Sequence, residues 1–289
     1  MTTLESNTEK PMKGLAKVWQ RTPVLIRALV LGFLVNTIGI LNIPILTTFL
    51  PPVLALIAIS IFLFLYWKFF SGSWGHAASK ATRKHYFRAN TLSTVQWRWG
   101  LFTAVLLAVI WQAGFVVTFR LIEYPAAQFT QGNGLDNLPT GIAWIAVIFA
   151  ALSAGICEEV GFRGYMQVPL EERYGPIVAI LINSIIFVGI HLHQPWAPPV
   201  LPHLFVIAIL FGILAYVSKS LVPGIIAHFL LDIGNFSYWW SDIAGKFEYQ
   251  TIAITGVDLH FIVWLLIFVA SSVLSIWGLF KINSVRLQS

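Results

Sequence analysis

Apolar residues run through this chain in long unbroken stretches, with the polar residues gathered between them. From Ala28 to Trp67 there is no Asp, Glu, Lys or Arg. A helix needs about 20 apolar residues to cross the hydrocarbon core of a bilayer. The run is therefore long enough for two helices, with Pro51-Pro52 as the break. The pattern predicts spans at 24–48 and 51–69, a third at 99–119 between Arg98 and Arg120, and a fourth at 138–157. The stretch from Tyr174 to Ser218 again carries no formal charge. Its middle, His193-Gln194-Pro195-Trp196-Ala197-Pro198-Pro199, cannot continue as helix, so spans are expected at 176–193 and 201–218. Leu221–Trp240 and Leu259–Phe280 complete the set. The expected fold is an all-α polytopic membrane helix bundle of about eight spans.

Composition agrees with that pattern. Of 289 residues only 10% are charged and 57% are apolar, with a mean hydropathy of +0.78, whereas a soluble domain carries roughly 25% charged residues. A soluble enzyme, a disordered chain and a nucleic-acid binder are excluded. The net charge of +6 follows from the placement of the basic residues. The tract 71–98 holds Lys80, Arg83, Lys84, Arg88 and Arg98 with no acid, while 121–139 holds only Glu123 and Asp136. The N-terminal segment has Lys10, Lys13, Lys17 and Arg21 against Glu5 and Glu9, and the tail has Lys281 and Arg286. Eight spans with both termini in the cytoplasm place these basic tracts on one side, as the positive-inside rule requires. The first span is expected to be retained as an anchor, and with no organelle signal the expected location is a bacterial plasma membrane. Cys157 is the single cysteine, which excludes an intrachain disulfide and a Cys-rich metal site.

Three parts are expected: a scaffold over 1–137 with about three spans and a basic cytoplasmic loop at 71–98, a core over 138–240, and a loop with a last span over 241–289. The core carries the polar groups that a bilayer tolerates poorly, at about 2.5–3.5 kcal/mol each by translocon scales. Glu159 and Arg163 stand four apart on one helix face, acid first, the better order for an ion pair. Glu158 lies about 100° round the helix, an unpaired carboxylate against an apolar wall, which suits a general base. Ala151 and Gly155, behind it on the same face, would let another helix come close. His191 follows Phe187 by four residues on an otherwise apolar helix, and His228 and Asp232 share a face of the seventh. Glu171-Glu172-Arg173 reads as a solvated helix end, and His193 and His203 as interfacial. Neither H-E-x-x-H nor H-x-x-E-H occurs, so the common zinc-protease helices are absent. Ser153 lies off the face of Glu158, and Cys157, buried among apolar groups, is inert by default.

A buried carboxylate with several histidines could activate water and stabilise an oxyanion, or hold zinc through Glu158, His191 and His228. The same cavity could also bind a peptide without cleaving it, as a transporter or a scaffold conferring resistance to a toxic peptide. The absence of a companion polar cluster in spans one to three favours an enzyme.

Glu158-Glu159-x-x-x-Arg163-Gly164, then Phe187-x-x-x-His191, then His228-x-x-x-Asp232 resemble the three motifs of the type II CAAX prenyl endopeptidase and bacteriocin-processing (Abi) family of intramembrane glutamic endopeptidases. Phe162-Arg163-Gly164-Tyr165 and Ser184-Ile185-Ile186-Phe187 extend the likeness, which covers roughly 140–240. The resemblance implies an endopeptidase without metal or organic cofactor, acting on a peptide or lipidated peptide among membrane lipids. It implies that Glu158 and His191 activate the attacking water and that His228 and Asp232 stabilise the oxyanion. Glu159 and Arg163 are implied to be structural or substrate-orienting, with Phe187 in support. The third motif commonly ends in asparagine. Here an ionised Asp232 would repel an oxyanion, so it must carry a proton or act by orienting His228. For Glu158 and His191 to share a water, either span four continues through the first motif or span five starts deeper and bends at the Pro-rich turn.

Overall fold

The computed structural model describes residues 14–88, 90–130, 135 and 138–288. Glu5, Glu9, Lys10, Lys13 and Asp136, used above for orientation, lie outside the described residues. Among these residues the chain is helical with no β-strand. All eight apolar segments are helices: α1 (Val24–Ile40, followed by Asn42–Phe49), α2 (Pro52–Phe70), α3 (Thr94–Leu121), α4 (Thr140–Glu158), α5 (Pro176–His191), α6 (Leu201–Ser218), α7 (Val222–Gly234) and α8 (Leu259–Gln288). Six of them are long and apolar enough to cross a membrane, α4 being counted with its continuation. α5, at 16 residues, and α7, at 13, are shorter, so the count of eight crossings is not established.

The sequence places the end of the fourth span at 157, but the helix does not stop there. α4 passes directly into a π-helical stretch, Glu159–Met166, and on into a further α-helical piece, Gln167–Tyr174. The 35 residues of Thr140–Tyr174 amount to about 52 Å at 1.5 Å per residue, well beyond a hydrocarbon core of about 30 Å. Glu158 thereby sits about 27 Å along the helix, midway rather than at an end. Of the two arrangements that let Glu158 and His191 meet, the chain adopts the continuous helix. The π-helical turn falls on the motif itself, where such turns often mark functional sites.

α3 is the central pillar. Its apolar window is 67% buried, against 22% for α1 and α2 and 17% for α8. Leu107, Trp111, Phe115 and Phe119 of α3 form the centre of the main core. The outer helices expose apolar stripes at helical spacing, Ile26, Val30 and Leu34 on α1 and Leu266, Val269 and Val273 on α8, the pattern of surfaces that face lipid. α1 lies against α4 where Gly32 faces Met166 and Gly39 faces Cys157, so the lone cysteine is part of that contact.

The expected solvated end at 171–173 needs correction. Glu172 is exposed and pairs with His85 at 2.6 Å, as a surface group would. Glu171 is largely covered: it accepts from Arg88 at 2.5 Å and from Gln167 Nε2 at 2.7 Å. Arg88, in a left-handed turn with φ 49°, also donates to the Ala215 carbonyl at 2.9 Å. Arg83 donates to the carbonyls of Phe69, Trp74 and His76. Part of the basic tract is therefore built into the bundle, because overhanging α4 brings Glu171 beneath α6 and needs buried partners. At the opposite end Arg120 holds Asp258 at 2.7 Å. That contact, together with the Phe261 N–H that Asp258 caps, draws the Asp258 carboxyl down to about 2.

Gly175 makes the reversal from α4 into α5 at φ 80° and ψ 163°, a region essentially restricted to glycine. An added Cβ would meet nothing within 4 Å, so only backbone strain opposes a side chain. Gly175→Ala is expected to lower stability by about 1–3 kcal/mol in thermal unfolding in detergent. An unchanged midpoint would show that the turn relaxes freely.

Candidate active site

The site begins where α4 and α7 meet. A Cβ on Gly155 would lie 3.1 Å from the Ile225 carbonyl oxygen and 3.2 Å from the Phe229 nitrogen. The missing side chain thus lets the backbone of α7 rest on α4, as the small-residue spacing predicts. Gly224 does the same one turn on, its Cβ direction ending 3.0 Å from Glu159 Oε2. Gly155→Val is expected to force the two helices apart and cost about 1–3 kcal/mol through overpacking. Gly155→Ala should fall between the two in unfolding measurements, and a valine variant as stable as wild type would contradict the contact.

That approach sets His228 between the carboxylates of the first motif. Glu159, fully buried, accepts from His228 Nδ1 at 3.0 Å. Arg163 Nη1 lies 3.2 Å from the same oxygen. It is an ion pair whose N–H is not aligned on the oxygen, since Nη1 makes no hydrogen bond among the described residues. The guanidinium is held between the rings of Phe187, 4.3 Å from its centre, and Phe211, 5.4 Å away, a cation–π sandwich. The other face of His228 turns to Glu158 and Asp232: Nε2 is 3.7 Å from Glu158 Oε2 and 3.5 Å from Asp232 Oδ2. Glu158 is therefore not isolated as its helical position suggests, although Oε2 is buried and accepts no hydrogen bond among the described residues.

Asp232 is fixed from behind. Asn235 donates from Nδ2 to Asp232 Oδ1 at 2.9 Å, and Trp111 Nε1 donates to Asn235 Oδ1 at 2.6 Å. His191, at the last turn of α5, donates from Nδ1 to the Phe187 carbonyl at 2.7 Å. With Nδ1 so used, the neutral ring keeps Nε2 as an acceptor. Phe187 lies edge-on to Phe162 and 4.7 Å from the His191 ring. Its role is to seat both Arg163 and His191.

Glu158, Arg163, Phe187, His191, His228 and Asp232 all line one cavity of about 170 Å³. Its apolar wall includes Leu204, Ile207, Phe211 and Leu231, and its margin Gln194, Trp196 and Trp240. At about 30 Å³ per water it holds several waters or a short stretch of peptide. Glu159 stands one layer back, behind His228. Among the described residues no group of three or more His, Cys, Asp or Glu is arranged to hold a metal ion.

Asn235 and Trp111 are absent from the sequence-derived set. Asn235 follows Asp232 by three residues on the same helix face, a spacing that could have flagged it. Trp111 comes from α3, in the stretch read as scaffold, and no local signal sets it apart. His203 also differs from expectation: it stacks on Trp111 at 5.0 Å and meets the Trp111 carbonyl at 3.2 Å inside the bundle. His193 is exposed, as an interfacial group should be. Ser153 and Cys157 are buried and do not line the cavity.

Residues 140–234 match the family model for type II CAAX prenyl endopeptidases, Rce1-like. No curated protein and no solved structure matches the chain. The matched segment begins with α4 and ends with α7, and within it lie Glu158, Glu159, Arg163, His191, His228 and Asp232. These residues therefore lie in the stretch of the chain that is similar to an Rce1-like type II CAAX prenyl endopeptidase domain.

Proposed function

We propose that the protein is an intramembrane endopeptidase that hydrolyses a membrane-associated peptide with a water activated by Glu158 and His191. The observation that carries this reading is the convergence of Glu158, His191, His228 and Asp232, from three helices, on one cavity. Among the described residues Glu158 Oε2 accepts no hydrogen bond there, and His191 is oriented by the Phe187 carbonyl with Nε2 left to accept. Water held between these two acceptors loses a proton as it attacks the peptide carbonyl, a task suited to general-base groups in an apolar wall. The carbonyl oxygen becomes an oxyanion, and His228, acting as an imidazolium whose Nδ1 stays on Glu159, donates to it from Nε2. As the C–N bond breaks, the proton passes to the leaving amine.

Asp232 acts through His228 in this scheme. Its carboxylate is anchored by Asn235 and Trp111 and lies beside Nε2, so it sets the ring's direction and need not touch the oxyanion. Glu159 and Arg163 form the support for His228 from the other side. The apolar wall accommodates the hydrocarbon part of a peptide or lipidated peptide, and neither metal nor organic cofactor takes part. The membrane would be a plasma membrane with both termini cytoplasmic.

The proposal is tested by comparing peptide termini in cells carrying the wild-type protein with those carrying Glu158→Gln at equal abundance. New termini that depend on Glu158 are expected and identify the substrate. Identical termini, with any cellular phenotype intact in both, would favour a non-catalytic scaffold or transporter. Once a substrate is in hand, turnover is expected to survive chelation of the purified protein. Stoichiometric zinc lost together with turnover would favour the zinc mechanism.

A further inference from the structure

The two ends of the bundle differ sharply in charge and in packing. Lys80, Lys84, Arg88, Arg173, Lys219 and Arg286 gather at one end, where Arg88 bonds Glu171 and the Ala215 carbonyl and Arg286 donates to the Tyr216 carbonyl. Among the described lysines and arginines only Arg120 and Lys246 stand at the other end. That end carries Glu123, Asp242, Glu248 and Asp258.

The catalytic cavity is sealed toward the basic end. Phe162, Arg163, Met166, Gln167 and Leu170, which lie between it and the Arg88–Glu171 cluster, are each at most 1% exposed. Gln167 is further locked by bonds to Glu171, the Gly212 carbonyl and Asn183. The lining residues outside the membrane helices, Gln194, Trp196 and Trp240, belong to the opposite end. Trp196 and Trp240 meet edge to face at 4.8 Å beside the exposed His193. A peptide can therefore reach Glu158 past this aromatic margin and not through the packed floor.

Basic segments flanking membrane helices stay in the cytoplasm. Resting on the hydrolytic reading of the cavity, we infer that the site receives substrate from the non-cytoplasmic face. The substrate class is then a membrane-anchored peptide whose scissile bond lies at or beyond the outer half of the bilayer, such as a translocated or exported precursor. A protein tail that remains in the cytoplasm is not in this class. The paired tryptophans suit such a substrate, because aromatic rings favour the interface and bind apolar segments.

Cysteine accessibility tests the inference independently of catalysis. Native Cys157 is fully buried, so the full-length protein supplies an unreactive background. Gln194→Cys, with His193→Cys as its exposed neighbour, reports the cavity margin, and Lys84→Cys reports the basic end. Intact cells are treated with a membrane-impermeant maleimide, then compared with permeabilised cells. Labelling of Gln194→Cys or His193→Cys in intact cells is expected, with Lys84→Cys reacting several-fold more after permeabilisation. Labelling of Lys84→Cys in intact cells, or reaction of both margin variants only after permeabilisation, overturns the inference. An outward-facing margin with no Glu158-dependent cleavage would leave the orientation standing and remove the hydrolytic reading.

Discussion

Replacing Glu158 with glutamine should lower peptide hydrolysis by about 10²–10⁴-fold, the range for loss of a general base, while the protein folds as before. Glutamine keeps the shape of the side chain but cannot take a proton from water. Few native bonds are lost, because among the described residues Oε2 of Glu158 accepts no hydrogen bond and lies 3.7 Å from His228 Nε2. Turnover per folded molecule and thermal unfolding in the same detergent check the two halves of the expectation. Loss of activity together with a large loss of stability would make Glu158 a structural group, and full turnover would remove it from the chemistry.

Glu159→Leu should show the opposite profile, although the two glutamates are adjacent. Glu159 is the carboxylate facing both Arg163 and His228 Nδ1, at 3.2 and 3.0 Å. Removing it leaves the Arg163 guanidinium, 1% exposed, without its counter-ion among Phe187 and Phe211. Breaking a buried pair in this way costs about 3–5 kcal/mol, whereas replacing both partners by apolar groups of similar volume is often near neutral. The single variant is therefore expected to unfold much more readily than wild type, and Glu159→Leu/Arg163→Met to recover a good part of the loss. A single variant as stable as wild type would mean that the pair does not hold the site. Failure of the double variant to recover would assign the loss to the His228 bond instead.

The sequence makes part of this site legible because helical spacing is local. Four-residue separations put Glu159 with Arg163 and His228 with Asp232, and both pairs lie within 3.5 Å. The small residue at 155 correctly foretells a close helix contact. Which helix makes that contact is not legible, since periodicity reports a face and not its partner. The same limit hides Trp111, which reaches Asn235 across more than a hundred residues of chain.

Depth is the second blind spot. Hydropathy ends the fourth span where charge begins, at Glu158. The fold carries the helix onward, because each charge there is met by a partner from another element. Glu159 meets His228, Arg163 meets two rings, and Glu171 meets Arg88. Apolar counting cannot register such compensation, and it gives no sign of the π-helical turn at Glu159–Met166. The spans themselves are the securest reading, since an apolar run of sufficient length has few alternatives to helix in a bilayer.

In this mechanism water attacks the peptide bond in the cavity and Glu158 activates it. Its most direct test is single-turnover cleavage by the purified full-length protein in proteoliposomes, performed in ¹⁸O-labelled water on the peptide found from Glu158-dependent termini. Wild-type protein should place one solvent oxygen in the new carboxylate as each bond is cut, and Glu158→Gln of equal stability should yield almost none of this product. Labelled product from Glu158→Gln at the wild-type rate, or cleavage whose new carboxyl group carries no solvent oxygen, would contradict it.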